Sequence, residues 1–331
     1  MRVVALEEHW VAPELMREIP AVLLRERGWP SLERLPPQMA QGEALIEAGP
    51  RRLADMTKAG ITLQLLSAGG PGADLLDEVE GRRFAAAFND RLRQTIADKP
   101  DRFAGFAHLP MSAPDAAADE LERAVIDLGL KGAMINGTTR GLFLDDIRFD
   151  PLLARAERLG VPLYLHPSLP PEAVRHAYYG GLPEEAGLLL SGPGFGWHAE
   201  TAVHLLRMIL SGALDRHPGL QLIIGHMGEG LPTMMGRIDD VFAGFSSRNL
   251  GRTVTQTIAD QLWITTSGFF TLPPFLAALM AFGADRMLFS VDYPFSENSR
   301  AVDFLKQLPV SEADREKIAH GNADRLLRLT D

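Results

Sequence analysis

Four apolar runs in the chain end in side chains of the types that bind metal ions. The first run, VVAL, leads into Glu7 and His9, and the other three end in His166, His226 and Asp292. Imidazole nitrogens and carboxylate oxygens without sulfur suit zinc, and carboxylates also accommodate manganese. One histidine or aspartate after an apolar run is usually a packing or turn residue. Five such residues at four run ends predict a common site for a divalent metal.

These residues need a scaffold that brings the run ends together. Eight short apolar runs alternate with amphipathic stretches along the 331 residues. Continuously apolar runs are typical of parallel strands that are covered on both faces. The predicted strands are 3–6, 61–67, 103–109, 132–135, 162–166, 220–225, 262–266 and 287–290. The predicted helices are 52–59, 83–97, 115–128, 151–159, 200–214, 232–242 and 274–281.

Eight strands that alternate with helices indicate a (β/α)8 or TIM barrel of the α/β class, in which the strand ends converge on one face. A doubly wound open sheet is the alternative, although neither GxGxxG nor GxxxxGK[ST] follows the first strand. We expect one domain over residues 1–331, distorted by long insertions after strands one and five at about 10–50 and 167–197. Loops of this length usually carry function, so both are expected to form pocket walls.

Side-chain alternation along the first strand decides which groups face the interior. Glu7 and His9 share one side, and Glu8 faces the other. If Val3 and Ala5 point into the barrel, Glu7 and His9 point into its carboxyl-terminal mouth. Glu8 would then face the barrel wall and pair with an arginine or a backbone amide.

Composition excludes several classes of protein. The chain has no cysteine, which rules out disulfides, thiolate metal sites and a cysteine nucleophile and fits a cytoplasmic protein. Its net charge is -10 and it has no basic tract, so we expect no nucleic-acid partner. It begins without a recognisable signal peptide and has no apolar stretch long enough to span a bilayer, so no membrane partner is expected.

Lysine usage bears on the number of metal ions. Barrel hydrolases with two metals often bridge them with a carboxylated lysine at a strand end. Lys131 lies at the start of the fourth predicted strand, whose end is followed by Asn136. One divalent ion, zinc or manganese, is therefore expected.

Several longer strings give the sequence a family resemblance. They are ALEEHW, KPDRFAGFAHLP, YLHP, ETAVHLLRMILSG, DRHPGLQLIIGHMGEGLP, TTSG, DRMLFSVDYPF and GNADRLLRL. The chain resembles the amidohydrolase superfamily over nearly its whole length. Within it, the chain resembles the metal-dependent branch that contains γ-resorcylate, 2,3-dihydroxybenzoate, 5-carboxyvanillate and aminocarboxymuconate semialdehyde decarboxylases. The usual opening of the superfamily is HxH, and Glu7 replaces its first histidine, as in the hydroxybenzoate decarboxylases.

The resemblance implies roles for the strand-end residues. It implies that the direct metal ligands are Glu7, His9, His166 and Asp292. His226 holds a position that is a ligand or near-ligand in this branch, and we count it in the ligand set. Glu229 resembles the carboxylate that orients this histidine.

Two arginines and an assembly follow from the same resemblance. Arg237 resembles an arginine that contacts the substrate. Arg52 resembles one that reaches a neighbouring subunit's pocket, with Arg51 as the alternative. Relatives of this kind are dimers or tetramers, so a homodimer or homotetramer is expected.

The implied reaction is non-oxidative decarboxylation of a hydroxylated aromatic carboxylic acid of the o-hydroxybenzoate type. The metal chelates the substrate, Asp292 protonates the ring carbon, and His226 with Glu229 assists the proton transfer. Since the reaction involves no redox step, no organic cofactor is expected. The alternatives are a hydrolase, such as a lactonase or amidohydrolase, or a hydratase with a metal-activated water. A non-catalytic binding protein is the remaining class, and the complete ligand set argues against it.

Three other histidines have plainer interpretations. His204 is interpreted as a packing residue inside a helix, and His217 as a loop residue before the sixth strand. His108 lies at the end of the third predicted strand, where it either hydrogen-bonds to a neighbour or adds polar surface to the pocket; we favour the first.

Overall fold

Eight parallel strands form the centre of the described part of the molecule. The computed structural model describes residues 1–31 and 34–329. Every predicted strand overlaps an observed one within these residues. The strands are β1 (Val4–His9), β2 (Leu63–Ser67), β3 (Phe103–Gly105), β4 (Ala133–Asn136), β5 (Leu163–His166), β6 (Leu222–Ile224), β7 (Leu262–Thr265) and β8 (Met287–Leu288).

Helices connect the strands, and several short ones lie inside the two insertions. The α-helices are α1 (Pro13–Met16), α2 (Ala21–Arg27), α3 (Gly42–Ile46), α4 (Pro50–Ala59), α5 (Glu78–Ala97), α6 (Pro114–Ile126), α7 (Asp150–Leu159), α8 (Glu172–Val174), α9 (Glu184–Ser191), α10 (Gly196–Leu210), α11 (Ala213–Arg216), α12 (Met235–Asn249), α13 (Val254–Gln261), α14 (Leu272–Phe282), α15 (Asn298–Gln307), α16 (Glu312–Glu316) and α17 (Asn322–Leu327). All seven predicted helices overlap these. The helix predicted over 200–214 is divided into α10 and α11 because Gly212 adopts a φ of 74°. The helix α15 was not predicted, although its buried residues have helical spacing.

The strands close into a barrel. They pair in chain order as a three-stranded sheet, β1–β3, and a five-stranded sheet, β4–β8. Parallel bridges join the two sheets at both seams, between Ala107 and Ala133 and between Glu8 and Tyr293. The amide of His9 also donates to the carbonyl of Tyr293 at 2.7 Å. The predicted (β/α)8 barrel is therefore confirmed, and the open-sheet alternative is wrong.

A bulge in β1 sets the direction of its side chains. Ala5 pairs with Gln64 and Glu8 pairs with Leu66, so three steps along β1 match two steps along β2. An extra residue of this kind breaks the strict alternation of side chains along a strand. The side chains before the bulge therefore have the opposite phase from those after it.

This phase change corrects one prediction. Val4 and Leu6 belong to the apolar cluster inside the barrel. Val3 and Ala5 belong to the outer core beneath the helices, so the expectation that they point inward is wrong. The polar residues after the bulge nevertheless reach the mouth of the barrel, as expected.

Glu8 faces the barrel wall and pairs with backbone amides, as predicted. One of its carboxylate oxygens accepts a hydrogen bond from the amide of Val291 at 2.9 Å. The other accepts from the amide of Tyr293 at 3.3 Å and from the side-chain amide of Gln64 at 3.3 Å. This buried carboxylate thus joins β1 to the segment that follows β8.

The core has an inner and an outer layer. The inner layer fills the barrel with side chains such as Leu65, Phe106 and Ile223. Ala323 and Leu327 of α17 join this cluster beside Val4, so the last helix covers the amino-terminal end of the barrel. Apolar side chains fill the interior of the barrel and its amino-terminal end, which leaves the carboxyl-terminal end for polar groups.

The two insertions contact each other above the carboxyl ends of the strands. The guanidinium of Arg27 donates to the carbonyl of Pro170 at 3.2 Å and to the hydroxyl of Ser168 at 3.1 Å. Residues 32 and 33 of the first insertion, and residues 330 and 331 of the expected domain, lie outside the described residues. The single domain and the pocket-wall role stay predictions. Within the described chain, no helix combines the length and apolar character needed to cross a bilayer.

Candidate active site

Three buried side chains from two strands gather at the carboxyl end of the barrel. Glu7 and His9 come from β1 and His166 comes from β5, and their ligand-type atoms lie within 4.8 Å of one another. The Nε2 atom of His166 is 3.3 Å from Oε1 of Glu7. Two imidazoles and a carboxylate are therefore already assembled around one point.

The two other predicted ligands lie beside this set. Asp292 follows β8 and places Oδ1 3.1 Å from Nε2 of His9. His226 follows β6 and places Nε2 3.6 Å from Oε1 of Glu7 and 3.9 Å from Oδ2 of Asp292. The structure thus brings all five predicted ligand residues into one cluster.

The free donor atoms of the cluster fit a divalent cation. Oε2 of Glu7 accepts a hydrogen bond from the hydroxyl of Tyr164. Oε1 is buried and has no hydrogen-bond partner among the residues that the structure describes. A buried carboxylate oxygen without a donor is costly unless a cation faces it. With imidazole nitrogens on either side and no sulfur, the donor set suits one zinc or manganese ion.

The protonation states of Glu7 and His166 suit ligands. Burial alone would raise the pKa of Glu7, but the surrounding imidazoles, with His226 first, outweigh burial and lower it. Burial lowers the pKa of His166. An ionised carboxylate beside a neutral imidazole is the state that metal binding requires.

The pKa of His226 shifts in the opposite direction from that of His166. Burial would lower the pKa of this imidazole, but Glu229 and Glu7 raise it well above its ordinary value. Burial would raise the pKa of Asp292, but the neighbouring imidazoles of His226 and His9 lower it. These two directions favour a positively charged His226 beside an ionised Asp292.

The turns that carry His226 and Asp292 adopt a backbone conformation that is rare for residues with side chains. The φ angles are 53° at His226, 56° at Met227, 55° at Glu229 and 71° at Asp292. Conformations of this type cost on the order of 1–3 kcal/mol each and persist where the surrounding structure fixes them. The backbone conformation of these turns places the side chains of His226 and Asp292 at the strand ends.

Glu229 contacts His226, as the resemblance implies. Oε1 of Glu229 lies 2.8 Å from Nδ1 of His226, and the carboxylate side chain is 0% exposed. Burial would raise the pKa of Glu229, but His226 and His198 lower it. The pair is a buried, charge-assisted contact.

Two residues of the site escaped the sequence analysis. Tyr164 lies two residues before His166 on β5, so both side chains point to the same face of the strand. This spacing alone could have placed Tyr164 beside the metal ligands. His198 lies in the first turn of α10, and its Nδ1 atom is 2.6 Å from Oε2 of Glu229. No periodicity in the sequence before His198 pointed to this position.

Arg52 does not occupy the predicted position. Its side chain is 0% exposed, and its guanidinium lies 4.5 Å from the centroid of the Tyr293 ring. It donates to the carbonyl of His9 at 2.5 Å. A guanidinium enclosed in this way cannot reach a neighbouring subunit's pocket, so that prediction is wrong, and Arg52 supports the backbone behind the site. The alternative, Arg51, is exposed and pairs with Glu43 at 3.0 Å.

Arg237 lies exposed on α12. Its contact with a substrate stays a prediction.

The three other histidines behave as interpreted. Nε2 of His108 accepts from the amide of Ala73 at 2.9 Å. Nε2 of His204 accepts from the amide of Leu144 at 2.9 Å. His217 lies in the loop before β6.

Comparison with known proteins defines the class. The sequence profile of the amidohydrolase family matches residues 9–329. The γ-resorcylate decarboxylase of Rhizobium sp. strain MTP-10005 is 38% identical over 337 residues, covering 98% of each chain. The crystal structure of a 2,6-dihydroxybenzoate decarboxylase complexed with 2,6-dihydroxybenzoate is 37% identical, with a TM-score of 0.87 and 99% of each chain covered.

A further structure bears on the metal. A dihydroxybenzoic acid decarboxylase from Polaromonas sp. JS666, with bound manganese and the inhibitor 2-nitroresorcinol, is 36% identical with a TM-score of 0.87. The match covers 100% of this chain and 98% of that one. The chain belongs to the amidohydrolase family. It is a metal-dependent carboxy-lyase that decarboxylates aromatic acids, which confirms the expected activity and the expected single divalent metal.

Proposed function

We propose that the protein removes the carboxylate group of an ortho-hydroxybenzoate and that Asp292 delivers the proton that replaces it. A contrast between two carboxylates carries the proposal. The side chain of Asp292 is 17% exposed, whereas that of Glu7 is 0% exposed. An acid must touch the substrate ring in order to protonate it. Asp292 is therefore assigned as the acid and Glu7 as a ligand only.

The metal would be held by Glu7, His9, His166 and Asp292, with His226 at the edge of the set. When bound, it supplies positive charge that anchors the carboxylate and the adjacent hydroxyl oxygen of the substrate and stabilises negative charge on that oxygen. Two related structures contain 2,6-dihydroxybenzoate and 2-nitroresorcinol as ligands, and each molecule carries an oxygen-bearing group between two ring hydroxyls. This chemistry supports an ortho-hydroxylated acid as substrate.

The chain's own residues account for the proton. Asp292, which is ionised at rest, first takes a proton from the neighbouring His226. The ring hydroxyl donates electron density to the carbon that carries the carboxylate, and that carbon then takes the proton from the Asp292 carboxyl. The bond to the carboxylate then breaks, its electron pair restores the aromatic ring, and CO2 leaves. One proton is consumed in each turnover. His226, whose Nε2 lies 3.9 Å from Oδ2 of Asp292, is the neighbouring group that supplies a proton to Asp292 in each turnover, and solvent restores it.

Arg237 is the proposed partner of a substrate oxyanion, because a planar guanidinium pairs with carboxylate or phenolate oxygens in a bidentate manner. We also propose a cytoplasmic location, on the basis of the cysteine-free sequence.

A homo-oligomer is part of the proposal. Three large apolar side chains are exposed at intervals of four residues on α14: Leu272 at 47%, Leu276 at 41% and Met280 at 88%. This spacing places them on one face of the helix. A continuous apolar face supports contact with a second copy of the chain.

The test is CO2 release from a panel of ortho-hydroxybenzoates, together with elemental analysis of the purified protein. We expect CO2 from at least one acid of the panel and one zinc or manganese ion per chain. Bound metal without CO2 from any member would contradict the proposed substrate class, and lactones and amides would then test the hydrolase alternative.

A further inference from the structure

His198 contacts the acid–base residues without belonging to the ligand set. Its Nδ1 atom is 2.6 Å from Oε2 of Glu229, and its Nε2 atom is 3.1 Å from the carbonyl oxygen of Pro193. Its ring packs edge-on against the rings of His226, at 4.6 Å between centroids, and Phe269, at 5.4 Å. Both nitrogens of this imidazole are therefore engaged.

The donors and acceptors of this group fix one arrangement. The side chain of Glu229 is 0% exposed, and each of its oxygens faces one imidazole, His226 at 2.8 Å and His198 at 2.6 Å. A carboxylate accepts hydrogen bonds and donates none, so both imidazoles donate from Nδ1. The Nε2 atom of His226 is thereby the one presented to Glu7 and Asp292.

We propose that His198 is a positioning residue that acts through Glu229 on His226. Nδ1 of His198 donates a hydrogen bond to Oε2 of Glu229. The other oxygen, Oε1, is thereby held against Nδ1 of His226, and the direction of the Nε2 atom of His226 is fixed. Because Pro193 lies in the second insertion, the contact at Nε2 of His198 also ties that insertion to the catalytic group. The kinetic part of this inference rests on the proposed function.

A second metal ion is the competing explanation, since His198, His226 and Glu229 are of ligand type and lie close together. Their facing atoms, however, are already paired at 2.6 and 2.8 Å, which are hydrogen-bond distances. Positioning therefore predicts one metal per chain. A second ion that is bound by the wild type and lost from His198→Ala would overturn the proposal.

Kinetics on the metal-loaded enzyme test the role. Loss of a hydrogen-bond partner behind a metal-site histidine typically costs about 10–100-fold in metal affinity or activity. We expect His198→Ala to lower kcat by that factor with little change in KM, because the substrate contacts remain. His198→Asn retains an N–H donor near the position of Nδ1 and should recover part of kcat. An unchanged kcat in His198→Ala would overturn the proposal.

The matched control is His204→Gln on the same helix. His204 is also buried, and it contacts the amide of Leu144 rather than the site. We expect this variant to retain the wild-type kcat. An equal loss of kcat in both variants would show that the effect comes from the helix as a whole, and would overturn a specific role for His198.

Proton NMR of the zinc-loaded protein with ¹⁵N-labelled histidine gives a readout that needs no turnover. The Nδ1 protons of His198 and His226 should give resonances protected by hydrogen bonds to Glu229. In His198→Ala we expect the His226 resonance to shift and to exchange faster with water, and in His204→Gln to stay unchanged. An unaltered His226 resonance in His198→Ala would overturn the proposal. If the wild type released no CO2 while the resonances behaved as expected, the proposed function would fail and the positioning role would stand.

Discussion

Two carboxylates of the site differ in environment although they belong to one cluster. Glu7 is enclosed by β1, β5 and β6, and Tyr164 donates to one of its oxygens. Asp292 stands on the strained turn after β8 with 17% of its side chain exposed. We therefore propose different tasks for these two residues of the same chemical type: Glu7 acts only as a ligand, and Asp292 acts as an acid as well as a ligand.

Replacement of Asp292 by Asn tests this division. The amide cannot deliver a proton to the ring, so we expect turnover to be lost while the barrel stays folded. CO2 release and circular dichroism would be measured on the same preparation. Turnover near the wild-type rate would remove Asp292 from the proton-transfer role.

The ligand-type residues could be predicted because each stands where an apolar run ends, and parallel strands place such ends together. Tyr164 could also have been predicted, since it lies two residues before His166 and shares its face of the strand. His198 was not, because it begins a helix after an irregular insertion, and only the folded chain brings it to Glu229. The burial of Arg52 was equally hidden, because sequence spacing does not reveal which face of α4 packs against the barrel.

Among the elements, strand positions followed from the apolar runs, but the phase of β1 did not. All four residues from Val3 to Leu6 are apolar, so the pattern fits either phase, and the bulge that decides between them leaves no apolar signal.

The segment that follows β6 lies close to Glu7 of β1. A Cβ atom on Gly225 would lie 2.8 Å from Oε2 of Glu7 and 3.0 Å from Oγ of Ser267.

Substitution of Gly225 by Ala should therefore displace Glu7. Contact at this distance forces a neighbour to move, and the oxygen that the new Cβ would meet, Oε2 of Glu7, is held by the hydroxyl of Tyr164. We expect the variant to bind less metal than the wild type, as measured by elemental analysis after dialysis. Gly236→Ala is the control, since among the described residues no atom beyond its chain neighbours and its own helix backbone lies within 4 Å of the added Cβ. Equal metal content in the two variants would contradict the steric argument.

For the molecule as a whole, His204 links the fold to pH. Burial lowers the pKa of this imidazole from 6.5 to about 4. Between these values the unfolded chain binds a proton that the folded chain does not, so the free energy of unfolding falls as the pH falls through this window. The contribution is roughly 3 kcal/mol at most.

His204→Gln should therefore flatten the pH dependence of stability. The glutamine oxygen can still accept from the Leu144 amide but does not titrate. Urea unfolding of both proteins near neutral pH and near the lower end of the window would measure the difference. Parallel losses of stability in the two proteins would exclude His204 as the source.

Assembly is the other property at this scale. Leu276→Glu with Met280→Glu would place charge on the apolar face of α14, and we expect a smaller particle by light scattering. Val79→Glu is the control, because Val79 is 78% exposed on α5. A double variant with the mass of the wild type would place the subunit contact elsewhere.

The division of the barrel into two sheets has a mechanical consequence. Glu7 and His9 belong to the three-stranded sheet, and His166 belongs to the five-stranded one. A metal ion between them would act as a non-covalent cross-link over the seam where Glu8 meets Tyr293. We expect hydrogen–deuterium exchange at the His9 amide to slow when zinc is added, with no change within β6 and β7. Loss of the ion would then weaken the closure of the barrel and abolish activity at the same time.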